Sequence, residues 1–330
     1  MRRRQFITSL CGAAAWPIAA RAQSGTRRKV AVLMNGAATE ATPQSYFAAF
    51  VQELQRLGWI EGRNLEVQVR WNAGDAELAR LYAGQLIGLM PDVIVPASTT
   101  NLIAIRQGTV AIPVVFLSVS DPVAQGFVTS ITKPGGNLTG FGVYEFSVGG
   151  KWLGLLKEIA PVITRVGVMF NPDTSPQAKF FMRSIEAAAL LLGVQMSGLP
   201  LHTTSDIAPA IEDFSQQPNG SLIMPTDTFT RLRGTLIADL AIKHRLPTIG
   251  AEIGFCKDGG LMSYTANVDT VDQFRQAAGY VNRILTGEKP GDLPIQMATK
   301  YKLTINFKVA KALGINVPPG LSARADEVIE

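Results

Sequence analysis

The pattern that most constrains the fold of this chain is the alternation of short apolar runs with longer amphipathic stretches. Residues 30–34, 93–95 and 114–117 are short, apolar and rich in β-branched side chains, which is typical of buried strands. Residues 47–57 and 78–90 carry apolar side chains at helical spacing. Alternation of strands and helices predicts a parallel sheet with helices on both faces.

This pattern begins a second time further along the chain. Four landmarks recur in the same order, at offsets of 136, 135, 129 and 134 residues. The matched pairs are residues 30–35 with 166–171, 57–58 with 192–193, 93–96 with 222–225, and 112–114 with 246–248. A nearly constant offset predicts an α/β protein of two similar lobes, each a doubly wound parallel sheet. Two α/β domains without a special relationship are the alternative interpretation.

Two stretches predict where the chain passes between the lobes. Residues 133–137 (KPGGN) are rich in glycine and proline, and Gly140 and Gly142 follow them, which is typical of a turn and a chain crossing. A second crossing is expected near residues 264–268, before an amphipathic helix over residues 271–285. Each lobe is therefore predicted to be built from more than one segment of the chain.

The first 22 residues have the order of a bacterial export signal. Residues 2–4 are arginines, residues 6–20 are apolar and alanine-rich, and residues 20–22 (ARA) form a small-x-small cleavage site. Residues 3–7 (RRQFI) are also typical of a twin-arginine signal, which exports a folded protein. The residue before this motif is an arginine instead of Ser or Thr, so general secretion is the alternative. Cleavage near Ala22 predicts a periplasmic protein.

Removal of this signal changes the charge balance. The chain has 31 Lys+Arg and 26 Asp+Glu, and residues 1–22 contain four of the arginines and none of the acids. The mature protein would carry 27 basic and 26 acidic residues, so its charge does not indicate a nucleic-acid partner. Cys256 is the one cysteine after the cleavage site, and no internal disulfide is expected.

Polar residues follow the predicted strands, at the positions where open α/β sheets bind their ligands. The candidate ligand-binding residues are Asn35, Ser98, Thr99, Ser118, Val119 and Asp121 in the first lobe, and Asn171, Asp227 and Tyr264 in the second. Hydroxyl groups and backbone N–H groups at a helix start favour a carboxylate or another anion. A carboxylate such as that of Asp227 holds an ammonium group by a charge-assisted bond. The combination predicts an amino acid or a similar zwitterion.

Each candidate also has a structural interpretation. Ser98, Thr99 and Ser118 are residue types that commonly cap helices, and Asp121 precedes a proline as in many turns. Asp227 could cap the helix that follows it, and Tyr264 could be a core or hinge aromatic.

Signatures of catalysis are missing from the sequence. His202 and His244 are the only histidines, and neither has a partner at metal-ligand spacing. The sequence contains no Gly-x-Ser-x-Gly motif, and residues 149–151 (GGK) lack the earlier glycine of a phosphate-binding loop. We therefore expect neither an enzyme nor a bound metal or cofactor.

Several motifs resemble those of bacterial ABC-transporter substrate-binding proteins related to the tryptophan and aromatic amino-acid binding proteins. They are residues 50–54 (FVQEL), 58–64 (GWIEGRN), 91–95 (PDVIV), 120–123 (SDPV), 133–140 (KPGGNLTG) and 318–319 (PP). The resemblance covers nearly the whole mature chain. It implies the type I periplasmic-binding-protein fold, in which a three-segment hinge joins two lobes that close on the ligand. The implied division is 27–140 with 265–295 for lobe one and 141–264 with 296–330 for lobe two.

The resemblance also implies partners and a ligand class. It implies a monomer that delivers a small solute to an ABC permease in the inner membrane, driven by a separate ATPase. The solute is expected to be an amino acid or a related zwitterion or carboxylate. For an aromatic solute, the candidates around the ring are Phe141, Tyr144, Phe229 and Tyr264. A periplasmic sensor that presents its ligand to a receptor without transport is the alternative.

Overall fold

The computed structural model describes residues 27–330, so the predicted export signal lies outside the described residues. The strands in chain order are β1 (Arg28–Met34), β2 (Leu65–Trp71), β3 (Val93–Ala97), β4 (Val114–Val119), β5 (Leu138–Gly142), β6 (Arg165–Phe170), β7 (Gln195–Pro200), β8 (Gly220–Met224), β9 (Thr248–Gly250), β10 (Met262–Ala266), β11 (Gln296–Met297), β12 (Tyr301–Asn306) and β13 (Glu327–Ile329). The helices are α1 (Ala41–Arg56), α2 (Ala76–Gly88), α3 (Thr99–Gly108), α4 (Val148–Ile159), α5 (Ala178–Leu192), α6 (Ile207–Ser215), α7 (Thr228–Arg231), α8 (Gly234–Lys243), α9 (Thr270–Leu285), α10 (Phe307–Ala312) and α11 (Pro319–Ser322). Among these residues, no helix combines the length and the apolar character needed to cross a membrane.

The strands form two sheets of related topology. The first sheet has the order β11-β5-β4-β3-β1-β2, and the second has the order β13-β12-β10-β9-β8-β6-β7. Five strands of each sheet correspond, because β2-β1-β3-β4-β5 and β7-β6-β8-β9-β10 follow the same course. The strands of both sets run parallel, and β12 joins the second sheet antiparallel to β10. The predicted fold of two similar parallel-sheet lobes is confirmed.

Helices cover both faces of each sheet. In lobe one, α1 and α9 pack on one face around Phe50 and Phe274, and α2 and α3 pack on the other around Leu86. In lobe two, α4 and α5 enclose one core around Trp152, and α6 and α8 enclose a second around Ile211. Strands with apolar side chains on both faces require this double cover, which is the reason that the sequence shows them as continuous apolar runs.

The chain crosses between the lobes three times. Residues 143–147 connect β5 to α4, residues 267–269 connect β10 to α9, and residues 298–300 connect β11 to β12. The second and third crossings lie side by side, since the Asn267 amide donates to the Lys300 carbonyl oxygen over 2.8 Å. From the sequence we divided the lobes after residues 140, 264 and 295, whereas the strands continue to Gly142, Ala266 and Met297.

The glycine-rich stretch that we assigned to the first crossing lies inside lobe one. Residues 133–137 lead into β5, and the chain leaves the lobe only after that strand. Gly140 is a strand residue, and a Cβ atom on it would be 2.1 Å from the Phe116 carbonyl oxygen of β4. Glycine at this position therefore permits the close approach of two strands, and it does not mark a linker.

Candidate functional site

A cavity of about 670 Å³ lies between the two lobes. Lobe one contributes the ends of β1, β3 and β4, together with the first turns of α1, α3 and α9. Lobe two contributes the ends of β8 and β9, the segments that follow them, and the short helix α7. The volume is in the range of small-molecule sites, and open α/β sheets bind ligands at this edge.

Two hydrogen bonds join the lobes at this cavity. The Asn35 amide nitrogen donates to the Thr228 hydroxyl oxygen over 2.7 Å, and the Thr100 hydroxyl donates to the Thr174 carbonyl oxygen over 2.9 Å. Gly74 of lobe one also lies against lobe two, since a Cβ atom on it would be 2.5 Å from the Thr228 methyl carbon. The lobes thus contact each other directly and face one shared ligand space.

The wall of lobe one carries hydroxyl groups at the start of α3. The Ser98 hydroxyl oxygen caps this helix and accepts from the Asn101 backbone amide over 3.1 Å. The Thr99 hydroxyl oxygen accepts from the Ser120 backbone amide over 3.1 Å, and Ser118 lines the same wall. A helix start with polar neighbours favours a negatively charged group. This wall is therefore suited to a ligand carboxylate.

Asp227 lies on the wall of lobe two, and its carboxylate is bonded to the protein itself. One oxygen accepts from the Asn171 backbone amide over 2.9 Å, and the other accepts from the Thr174 hydroxyl and the Phe229 amide. Asp227 thereby caps α7, as in the structural interpretation of the sequence. Burial raises the pKa of the Asp227 carboxyl, and the hydrogen bonds oppose that rise.

Glu252 and Gln177, which the sequence analysis did not select, line the same wall. Burial raises the pKa of the Glu252 carboxyl, the charge of Arg231 lowers it, and the charge of Asp227 adds to the rise. Gln177 is 5% exposed, and its amide nitrogen donates to the Thr226 carbonyl oxygen over 3.2 Å. This part of the wall offers oxygen acceptors to a positively charged ligand group.

The aromatic side chains at the cavity differ from those that the sequence analysis proposed. Tyr46 and Phe274 of lobe one line the cavity and stack with their ring centroids 5.6 Å apart, and Phe255 lines it from lobe two. The four proposed aromatics, Phe141, Tyr144, Phe229 and Tyr264, are absent from the cavity lining among residues 27–330. Phe141, Tyr144 and Phe229 are buried in the hydrophobic cores of the lobes, where they pack against neighbouring side chains.

The structure brings five of the nine candidate residues to the cavity. They are Asn35, Ser98, Thr99, Ser118 and Asp227. Val119 does not reach it, because its side chain is fully buried in the core between β4 and α2 and α3. Tyr264 stacks on Tyr301 with ring centroids 5.3 Å apart, so it belongs to the aromatic packing of lobe two.

Asp121 and Asn171 organise loops near the cavity and do not line it. The Asp121 carboxylate accepts from the Ala124 amide over 3.0 Å and from the Phe146 amide over 3.2 Å, which ties a turn of lobe one to the first crossing. The Asn171 side-chain oxygen accepts from the Asp173 and Thr174 amides, over 2.8 and 3.2 Å. Both residues therefore hold the backbone through hydrogen bonds, as side chains of this type commonly do in turns.

Comparison with known proteins decides the family. The profile of the family described as ABC transporter substrate binding protein matches residues 30–329. The chain belongs to this family. A tyrosine-binding protein of Clostridioides difficile (strain R20291) is 26% identical over 264 residues, which is 80% of this chain and 75% of that protein.

Solved structures share the fold of this substrate-binding protein. A conserved domain protein from Vibrio cholerae O1 biovar El Tor has a TM-score of 0.78 at 27% identity, and covers 91% of this chain and 99% of its own. An ABC domain from Streptococcus pneumoniae in complex with L-Trp has a TM-score of 0.76 at 21% identity, and covers 92% of this chain and 100% of its own. The predicted type I periplasmic-binding-protein fold is confirmed. The family is in general one of solute-binding proteins and not of enzymes.

The internal repeat contains a signal that would have found Glu252 in this substrate-binding protein. The offset of 134 residues that relates residues 112–114 to 246–248 also relates Ser118 to position 252. The two residues lie at the ends of the equivalent strands β4 and β9 and both line the cavity. Tyr46 and Phe274 had no comparable signal, because both lie on helices whose apolar residues serve the core as well as the cavity.

Proposed function

We propose that this substrate-binding protein binds an aromatic amino acid in the cavity between its lobes and delivers it to the permease of an ABC uptake transporter. In this proposal the chain is exported to the periplasm, loses its signal near Ala22, and acts as a monomer without catalysis. One observation carries the proposal: a single cavity has hydroxyl groups and a helix start on one wall and carboxylates on the other. The first wall favours a negatively charged ligand group and the second favours a positively charged one, which together suit a zwitterion.

The aromatic part of the proposal is supported by the lobe-one rings and by the relatives. Tyr46 and Phe274 present aromatic surface to the cavity, and aromatic rings pack favourably in stacked or edge-on arrangements. The relative from Clostridioides difficile is described as tyrosine-binding, and the structure from Streptococcus pneumoniae holds L-Trp. We therefore assign the ligand carboxylate to the start of α3, the ring to Tyr46 and Phe274, and the ammonium to lobe two.

Closure of the lobes provides the mechanism of capture. The solute first binds one lobe while the lobes are apart, and the second lobe then adds its contacts. The solute stabilises the closed arrangement because it gains these additional contacts only there. The hydrogen bonds from Asn35 to Thr228 and from Thr100 to Thr174 belong to the closed arrangement.

Thermal unfolding of the purified mature protein with a panel of solutes tests the proposal. We expect L-tyrosine, L-tryptophan or L-phenylalanine to stabilise the protein by about 2.7 kcal/mol at a concentration of 100 times its Kd. L-Alanine, which has the zwitterion without the ring, and D-arabinose, which has neither, serve as controls and are expected to stabilise it far less. Stabilisation by none of the aromatic amino acids, or by the sugar alone, contradicts the proposal.

A further inference from the structure

The wall of lobe two contains a cluster of acceptors around Thr226. Gln177 donates its amide nitrogen to the Thr226 carbonyl oxygen, and Glu252 lies beside the same residue and within the field of Arg231. Gln177 and Glu252 both line the cavity. We call these two side chains the acceptor pair.

Gln177 has an acceptor that the protein leaves free. Gln177 is only 5% exposed, and among residues 27–330 its Oε1 atom has no hydrogen-bond partner. An unpaired buried carbonyl oxygen costs about 1–3 kcal/mol, so such atoms are rare unless a ligand or an ion completes them. This oxygen is shielded from water, and Gln177 itself lines the cavity, so a donor on a solute that packs against the residue is the partner that we infer for it.

Glu252 is a carboxylate without a close ion-pair partner. Within the described residues, no basic nitrogen lies within 4.0 Å of its oxygens. The other charged side chains that line the cavity are Glu40, Asp227, Asp258 and Arg231, so acidic groups outnumber basic ones around it. Glu252 is half-buried, and a carboxylate in such an acidic environment is stabilised by a cation that arrives with the ligand.

Asp227 differs from Glu252 in this respect. Its two oxygens already accept hydrogen bonds from the Asn171 amide, the Thr174 hydroxyl and the Phe229 amide. These donors hold the carboxylate in place as the cap of α7. An ammonium group would compete with them. At the acceptor pair it would meet Gln177 Oε1, which has no partner among residues 27–330, and the Glu252 carboxylate, which has the Thr226 hydroxyl and the Asp227 amide beside it but no ion-pair partner within the described residues.

We propose that Glu252 and Gln177, and not Asp227, hold the ammonium group of the solute. This inference rests on the proposed function and specifies which residues select an amine-bearing ligand. The ammonium donates one N–H hydrogen bond to the Glu252 carboxylate and another to Gln177 Oε1. An aromatic carboxylate without an amine would bring no donor to either acceptor, so the acceptor pair discriminates between an amino acid and its desamino analogue.

The test compares each variant on two ligands that differ only in the amine. Isothermal titration measures Kd for L-tyrosine and for 3-(4-hydroxyphenyl)propionate, and likewise for L-tryptophan and 3-indolepropionate. The ratio of the two Kd values reports the preference for the ammonium group. General damage to the cavity affects both ligands and largely cancels in this ratio, which is the logic of a double-mutant cycle.

We expect Glu252→Gln to reduce this preference about 30-fold, because it removes the charge and keeps the shape of the side chain. Gln177→Leu is expected to reduce it about fivefold through the loss of one neutral acceptor. Asp227→Asn is the matched comparison: because the Asp227 oxygens already accept from the protein, it is expected to change the ratio far less than Glu252→Gln does, even where both ligands bind more weakly.

The outcomes separate this inference from the proposed function. An unchanged ratio in Glu252→Gln together with a collapsed ratio in Asp227→Asn overturns the inference and leaves the proposed function in place. Failure of the wild-type protein to bind any aromatic amino acid overturns both. A preference that falls in Glu252→Gln and Gln177→Leu, and is largely kept in Asp227→Asn, supports the assignment.

Discussion

The Asp227→Ala variant is expected to lose about 2–4 kcal/mol of its free energy of unfolding in the absence of any ligand. The substitution leaves the Asn171 amide, the Phe229 amide and the Thr174 hydroxyl without their acceptor. Each buried donor without a partner costs about 1–3 kcal/mol, and loss of the cap of α7 adds to this cost. Asp227 itself is 2% exposed, so water reaches the donors poorly.

Urea unfolding of the ligand-free protein, followed by circular dichroism, measures this loss. Asp173→Ala is the control, because this nearby side chain is exposed and its substitution is expected to change the stability by less than about 0.5 kcal/mol. If Asp227→Ala kept the wild-type stability and lost only solute affinity, Asp227 would be the ligand contact that the sequence suggested and not a structural cap.

The Gly74→Ala variant is expected to bind its solute about 5- to 150-fold more weakly than the wild type. In the structure, a Cβ atom on Gly74 would lie 2.5 Å from the Thr228 methyl carbon of the other lobe. Overpacking of this kind costs about 1–3 kcal/mol and arises only when the lobes are together. The apparent affinity falls because a smaller fraction of the protein can reach the arrangement in which both lobes contact the solute.

Two further variants separate the clash from backbone strain. Gly74 has a φ of +73°, so alanine is strained there in any arrangement of the lobes. Gly58→Ala imposes a similar strain at a φ of +93° with no atom within 4 Å of the added carbon, and it should leave the affinity unchanged. Adding Thr228→Ser to Gly74→Ala removes the methyl group and keeps the hydroxyl that Asn35 bonds, so affinity should return. Weak binding by Gly58→Ala, or no recovery in the double variant, would argue against the clash.

Much of the fold could be predicted because the sequence encodes it locally and repeats it. The equivalent strands β1 and β6, and β3 and β8, are apolar runs that needed burial on both faces. The crossings were harder to place, since Gly140 serves the contact between β4 and β5 and only resembles a linker residue. The short strands β11 and β13 contain too few residues to show any periodicity.

The sequence predicted the location of the cavity more reliably than it predicted which side chains would bind the ligand. Asn35, Ser98, Thr99 and Ser118 line it because strand ends converge there in any sheet of this topology. Sequence alone does not tell which polar side chain is hydrogen-bonded within the protein and which remains available to a ligand. Asp227 turned out to accept from two backbone amides, whereas Gln177 has a side-chain oxygen without a partner among residues 27–330, and both Gln177 and Glu252 line the cavity. That distinction depends on hydrogen bonds between segments distant in the chain.

The most direct test of a zwitterion site between the lobes is a crystal structure of the mature protein grown with the aromatic amino acid that stabilises it best. We expect the solute to lie in the interlobe cavity, with its ring against Tyr46 and Phe274. Its carboxylate would lie at the start of α3, and its ammonium nitrogen would lie within about 3.2 Å of the Glu252 carboxylate. Density for the amino acid outside this cavity, or a cavity that stays empty while the lobes are closed, would contradict a zwitterion site between the lobes.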